Sequence, residues 1–183
     1  MREQPVIEGG IIILAPLTPE DAERVHLLAG DPAIAETAMR IPHPLPRSSA
    51  EEWITDCIRG WEEDRCAVWK ILLPGSHMLI GAVGLTIDTI HNHAELGYWV
   101  GREYWGNGYA RAAVKEVIRF AVEIIGIHRI HATCLPYNTA SIRVLNETGF
   151  VYEGCMHEHV FHQGDYRDLL LFGIVPYPSK RDE

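Results

Sequence analysis

The chain has 183 residues, 47% of them hydrophobic, and a formal net charge of -9. That length and composition fit a single globular domain over 1–183 with a substantial core, and the acidic balance argues against a dedicated nucleic-acid binder. No apolar run is long enough to span a bilayer, and Met1-Arg2-Glu3-Gln4-Pro5 lacks the basic and apolar regions of a signal peptide, so a cytoplasmic protein with no membrane partner is expected.

The predicted elements alternate strands and helices. A β-branched apolar run over 10–17 reads as a strand. Thr18-Pro19-Glu20-Asp21 follows, with a capping threonine, proline at the first helical position and acids in the first turn, opening a helix that runs to about Leu28 ahead of Gly30. A short turn over 32–39 leads into Ile41-Pro42-His43-Pro44-Leu45-Pro46, where three alternating prolines exclude a helix and make a stiff extended loop. Ser48-Ser49-Ala50-Glu51-Glu52 starts the next helix, with Trp53, Ile54, Cys57, Ile58 and Trp61 spaced three and four apart. Strands are expected over 66–73, 78–88 and 94–100, with Pro74-Gly75-Ser76 as a hairpin turn and a polar, histidine-bearing connection over 88–93. A helix from about Asn107 carries apolar residues at 110, 113, 114, 117, 118, 121, 124 and 125 and stops at Gly126. A strand over 128–135, a helix over 138–147 ended by Gly149, and two strands over 150–161 and 166–175 joined by Gln163-Gly164-Asp165 complete the chain. The order, roughly βααβββαβαββ with no repeat or linker, implies an α/β (α+β) mixed sheet with helices on both faces.

Two distributions carry chemistry. Over 101–145 six basic residues (Arg102, Arg111, Lys115, Arg119, Arg129, Arg143) meet three acidic ones (Glu103, Glu116, Glu123), a local +3 that leaves -12 for the remainder. The basic segment suits an anionic cofactor, and the acidic remainder suits either a cationic second substrate or ordinary solvated surface. Within that segment lies Trp105-Gly106-Asn107-Gly108-Tyr109-Ala110, directly before the amphipathic helix. Small residues let the backbone approach a ligand, and the helix directs its open N–H groups and the positive end of its dipole into the turn, which makes a pyrophosphate cradle. A dinucleotide fingerprint would need glycine where Arg111 stands, and no P-loop lysine follows.

The four motifs Ala94-Glu95-Leu96-Gly97-Tyr98-Trp99-Val100, Tyr104 to Ala110, His128-Arg129-Ile130 and Asn138-Thr139-Ala140-Ser141-Ile142-Arg143-Val144-Leu145 with Gly149-Phe150 occur in order. With Ile80-Gly81-Ala82-Val83-Gly84-Leu85 and Tyr166-Arg167-Asp168, they resemble the GNAT superfamily of N-acetyltransferases, nearest its ribosomal-protein-alanine and spermidine branch. The resemblance implies a three-layer fold with a mostly antiparallel twisted sheet splayed at the cofactor site, and a core motif region over 78–175. It implies acetyl-CoA as co-substrate, its pyrophosphate held by backbone N–H groups over 106–111, that is Gly106, Asn107, Gly108, Tyr109, Ala110 and Arg111. Trp105 occupies a position where the superfamily usually carries Gln or Arg. The pantetheine arm and acetyl carbonyl are expected along Tyr98, Trp99 and Val100 through backbone groups, so that the side chains at 98 and 99 matter little. Gly97 is expected to permit a bulge where this strand parts from its neighbour.

Acetyl transfer needs a deprotonated amine, donors to the carbonyl oxygen, protection of the leaving thiolate and alignment of both reactants. By the resemblance Glu95 is the base, directly or through water; from the residues alone it reads first as a surface-facing or salt-bridged strand carboxylate. Asn138 caps a helix and, by the resemblance, also hydrogen-bonds the cofactor arm. The tyrosine that many members use as acid is Leu145 here, and the branch resembled uses a serine at the Ser141 position, which makes Ser141 a hydrogen-bond donor to the departing sulfur; its plain alternative is a polar residue in the first helical turn.

The acceptor is then a primary amine: a protein N-terminus, a polyamine or an amino-bearing small molecule, taken in over the first two helices and the 41–46 loop. Glu51, Glu52, Glu62, Glu63 and Asp64 lie in or near that region and favour a cation. A homodimer is compatible with this reading, and the alternative from another class is a catalytically silent acyl-CoA-binding module. Cys57, Cys66, Cys134 and Cys155 form no C-x-x-C pair and read as reduced, mostly core thiols. His91-Asn92-His93 sits in a short connection without a nuclease context. His157, His159 and His162 have no matching acid or cysteine cluster in the sequence, so no metal is expected. Cys134 lacks a neighbouring base that would make it an acyl carrier.

Overall fold

The computed structural model describes residues 3–176. Their elements are β1 (Ile7–Glu8), β2 (Ile13–Pro16), α1 (Ala22–Ala29), α2 (Pro32–Ala35), α3 (Arg47–Glu62), β3 (Cys66–Leu72), β4 (Leu79–Asp88), β5 (His93–Val100), α4 (Tyr109–Phe120), β6 (Arg129–Cys134), α5 (Thr139–Glu147), β7 (Val151–His162) and β8 (Asp165–Ile174). The strands form one sheet in the order β1-β2-β3-β4-β5-β6-β8-β7. Every neighbouring pair is antiparallel except β5 and β6, which run parallel because α4 crosses over between them. Among the described residues no helix is long and apolar enough to cross a membrane.

Period-two alternation sends side chains to two separate cores. Leu14, Ala67, Trp69 and Ile71 pack on one face beneath α4, which contributes Ala113, Val114, Val117 and Phe120 at helical spacing. Trp69 is fully buried there, edge-on to Phe120 at 5.0 Å between ring centroids. Ile13, Ala15, Val68 and Leu72 face the other way, against Val25 and Leu28 of α1 and Ala50, Ile54 and Cys57 of α3. The expected two-faced mixed sheet is therefore present.

The expected strand over 10–17 is shorter, Ile13–Pro16, and a separate two-residue strand precedes it. Gly9 N–H donates to the Ile12 carbonyl at 2.9 Å, closing a turn that sends β1 back alongside β2. The helix signal at Thr18 is read correctly but begins as a single 3-10 turn over Pro19–Asp21. Asp21 closes that turn by accepting from the Thr18 N–H at 2.8 Å, and its carboxylate also binds Lys70 of β3 at 2.7 Å, which pins α1 to the sheet. After α4 one wide π-type turn, Ala121–Ile125, precedes Gly126.

Candidate active site

The sheet opens between its two parallel strands. β5 and β6 pair only as His93 with Arg129, Ala94 with Ile130 and Glu95 with His131. β5 stays in register with β4 through Val100, and β6 with β8 through Cys134, so each strand keeps its outer neighbour while the two part from each other beyond Glu95. The bulge expected at Gly97 is absent, since Gly97 lies in an unbroken ladder opposite Gly84. Divergence of β5 from β6 makes the gap instead, and a side chain at 97 would meet nothing within 4 Å.

Glu95 sits where the gap begins, with its side chain 26% exposed. Arg40, from the loop after α2, places Nη2 at 2.7 Å from Glu95 Oε2. The two residues are 55 positions apart, so no local pattern signals the pair, and Arg40 was missed by sequence reasoning. His131 stands beside Glu95 in register. Burial pushes the His131 imidazole below its ordinary range, with the Glu95 charge opposing that shift. The His93 ring approaches His131 edge-on at 5.4 Å, and its Nδ1 is buried with no partner among the described residues.

The glycine loop lies at the far end of β5. Its entry is a 3-10 turn over Arg102–Tyr104, and the Trp105 indole N–H donates to the Val100 carbonyl at 2.6 Å, folding the loop back on the strand. Asn107 Nδ2 donates to the Tyr104 and Trp105 carbonyls at 3.1 Å each. Gly106 and Gly108 take φ of 79° and 80°, left-handed values that L side chains rarely adopt, and Gly108 caps α4 directly. The first N–H groups of α4, at Tyr109, Ala110 and Arg111, have no intrahelical partner and point out of the helix start. The Arg111 guanidinium binds Glu147 of α5 at 2.8 Å.

Across the gap Asn138 caps α5, its side chain accepting from the Ser141 N–H at 3.1 Å. The Tyr98 hydroxyl reaches over from β5 to Ser141 Oγ at 2.7 Å. Burial holds the Tyr98 phenol well above its ordinary range, so it remains a protonated donor. The Tyr98 side chain therefore bridges the two sides of the gap, contrary to the expectation that only its backbone matters. Leu145, where a tyrosine was the family expectation, is fully buried in the core. Cys134 is 3% exposed, and burial pushes its thiol up to about 11. At pH 8 only about one such thiol in a thousand is ionised. Alkylation of Cys134 in the native protein at pH 8 is therefore expected about a hundredfold slower than that of a thiol with the ordinary value. Mass mapping of iodoacetamide adducts over time checks this, and rapid labelling of Cys134 would contradict it.

Glu95, Tyr98, Trp99, Asn138 and Ser141 line one cavity of about 560 Å³, walled further by α1, the loop after α2, α3 and the central strands. The acids expected to attract a cation lie elsewhere. Glu51, Glu52, Glu62, Glu63 and Asp64 do not line it; Glu51 is paired with Arg47 and Glu63 with Arg65. Strand pairing also corrects the expectation for the C-terminal histidines. Between Met156 opposite Leu169 and Val160 opposite Arg167, three residues of β7 face Asp168 alone. This bulge breaks the alternation of His157 and His159, and it brings the Asp168 carboxylate to 3.1 Å from His157 Nδ1 and 3.7 Å from Cys155 Sγ. The acid neighbour comes from the paired strand β8, while Cys155 stands two residues before His157 on β7 itself.

A sheet parted at its one parallel pair, with a helix start at one end of the gap and a half-buried carboxylate at the other, defines the class of the N-acetyltransferase fold. The chain belongs to the GNAT family: the model of the acetyltransferase (GNAT) domain matches residues 12–151. It is 27% identical over 176 residues to the uncharacterized N-acetyltransferase YoaA of Bacillus subtilis (strain 168), covering 93% of this chain and 97% of that one. Over 98 residues it is 33% identical to the spermidine N(1)-acetyltransferase of Vibrio cholerae serotype O1, covering 53% of this chain and 57% of that one. Among solved structures, RimL, a ribosomal L7/L12 alpha-N-protein acetyltransferase in complex with coenzyme A, superposes with a TM-score of 0.87 at 18% identity, covering 93% of this chain and 98% of that one. The protein is an N-acetyltransferase.

Proposed function

We propose that the chain moves an acetyl group from acetyl-CoA to a primary amine by direct transfer in a ternary complex. The observation that carries this reading is the meeting of Glu95 with the Tyr98–Ser141 pair in one cavity at the strand gap. The loop over 106–110 fits a pyrophosphate: its two left-handed glycines keep Cβ atoms out of the turn, and the helix start behind it supplies backbone donors and a positive dipole. Coenzyme A bound by RimL, a protein of the same fold, supports the same donor here.

In this reading each residue has one task. An amine with a pKa of about 8 to 10 is mostly protonated at neutral pH, so Glu95 takes a proton from the nitrogen before attack. The edge of β5 beyond Glu95 faces the gap rather than β6, and its backbone donors stabilise the charge that develops on the carbonyl oxygen. As the C–N bond forms and the C–S bond breaks, the Ser141 hydroxyl donates to the departing sulfur. Tyr98, protonated through burial, donates in turn to Ser141 Oγ and keeps that hydroxyl oriented. Asn138 fixes the start of α5 and thereby the position of Ser141. Cys134 stays a thiol at neutral pH, which favours direct transfer over an acyl-cysteine.

The test is thiol release from acetyl-CoA, screened across amino acids, peptides, polyamines and aminoglycosides. Release that requires an amine and saturates in both substrates is the expected result. Tight CoA binding with no turnover on any amine would instead identify a silent acyl-CoA-binding module.

A further inference from the structure

Arg40 and Glu95 are the charged side chains among the described residues lining the cavity, and they are paired with each other at 2.7 Å. Around them the wall is mostly apolar, with Met39, Ile41, Leu45, Trp53 and Val68 interrupted by the hydroxyls of Thr37 and Ser49. The segment bearing Arg40 is tied at both ends. The Glu36 carbonyl accepts from Tyr137 and His162, at 3.3 and 3.0 Å, and the Leu45 carbonyl lies 2.8 Å from His26 Nδ1.

Resting on the reading of Glu95 as the group that faces the amine, we propose that the acceptor is a free α-amino acid with a large apolar side chain. An α-ammonium and its α-carboxylate hang from one carbon, with N and O about 3 Å apart at nearest approach. The zwitterion therefore complements both groups at once, and it takes over their contact charge for charge as the exposed Arg40 side chain swings outward to admit it. Its ammonium takes the place of the guanidinium on Glu95, and its carboxylate takes the place of Glu95 on the forked donors of Arg40. Neither charge is left without a partner, and the side chain enters the mostly apolar wall. A polyamine brings several positive charges to a cavity whose one carboxylate already faces a guanidinium. A peptide N-terminus brings an ammonium followed by a neutral carbonyl, which replaces a charged contact to Arg40 with a weaker one. Acetylation removes the ammonium charge, so the product no longer binds Glu95, and the Arg40–Glu95 pair re-forms as it leaves.

The test compares kcat/KM for methionine, leucine, phenylalanine and tryptophan with that for their α-amides, a short peptide and spermidine, in the native chain and in Arg40→Ala. The Arg40 side chain is 75% exposed, so the substitution does not threaten the fold. The amino acids are expected to exceed their amides by about ten- to hundredfold, the value of one charged hydrogen-bonded contact, and Arg40→Ala is expected to erase that ratio. Amides, the peptide or spermidine turned over as well as the amino acids would overturn the proposal, and so would a ratio unchanged in Arg40→Ala. Either result leaves acetyl transfer standing. Absence of turnover with every amine, while calorimetry shows acetyl-CoA bound, would instead remove the reading of Glu95 on which the proposal rests.

Discussion

Replacing Glu95 with glutamine is expected to lower kcat at pH 7 by about 10²–10⁴, the usual contribution of a positioned general base, with acetyl-CoA affinity nearly unchanged. The substitution keeps the shape of a strand residue held in register between Thr86 of β4 and His131 of β6, so the sheet has no reason to rearrange. What disappears is the carboxylate at the mouth of the gap. At pH 7 an α-amine with a pKa of about 8 is free in roughly one molecule in ten, and a side-chain amine near 10 in about one in a thousand. Raising the pH supplies free amine without a base, so the deficit of the variant is expected to shrink steadily between pH 7 and 10. Parallel pH–rate profiles of both proteins measure the effect. Equal kcat at pH 7 would remove Glu95 from the mechanism.

Gly108→Val is expected to weaken CoA binding by more than about a hundredfold while the protein still folds. At φ 80° a β-branched residue costs about 1–3 kcal/mol in backbone strain, which for a chain of this size lowers Tm by about 3–10 °C. The added Cβ itself has room, its nearest neighbour being Arg111 Nη2 at 3.6 Å. The branched atoms beyond it stand before the open N–H groups at the start of α4, where the pyrophosphate is proposed to lie. Gly108→Ala carries backbone strain with less bulk and is expected to retain more of the affinity. Calorimetric titration with CoA, alongside thermal melts, separates binding from stability. Unaltered affinity in the valine variant would show that the loop is not the cradle.

Both substitutions fall on residues legible from the chain itself, and the reason is local. The Thr18-Pro19 cap, the apolar period of α4 and the Asn138 cap are set by neighbours within one or two turns, so their signals survive without tertiary contacts. The loop over 105–110 is legible for the same reason, because a left-handed turn opening a helix calls for glycine at that spacing. The strand expected over 10–17 begins only at Ile13, because an apolar run does not disclose that Gly9 and Ile12 close a turn across its first residues. The bulge expected at Gly97 was misplaced because a glycine permits several distortions, and only the pairing partners decide which one occurs.

Contacts of high sequence separation were beyond reach. Arg40 meets Glu95 across 55 positions, Tyr98 meets Ser141 across 43, and Asp168 meets His157 across a bulged hairpin. Charge counts also misled. The acids at 51, 52 and 62–64 are near the acceptor side in sequence, yet α3 turns them away from a cavity that it faces with Ala50 and Trp53.

The amino-acid sequence by itself determined the element order, the two-faced sheet, the glycine turn that opens α4 and the placing of Glu95, Asn138 and Ser141 on β5 and at the start of α5. These follow from short-range periodicity and capping, which act within a few residues. Tertiary structure alone decided where the sheet parts, that Tyr98 joins Ser141 across the gap, and that Arg40 closes on Glu95 as the charged pair of the cavity. Those features depend on which strands pair and where they stop pairing, a property of the whole sheet that no local stretch of chain encodes.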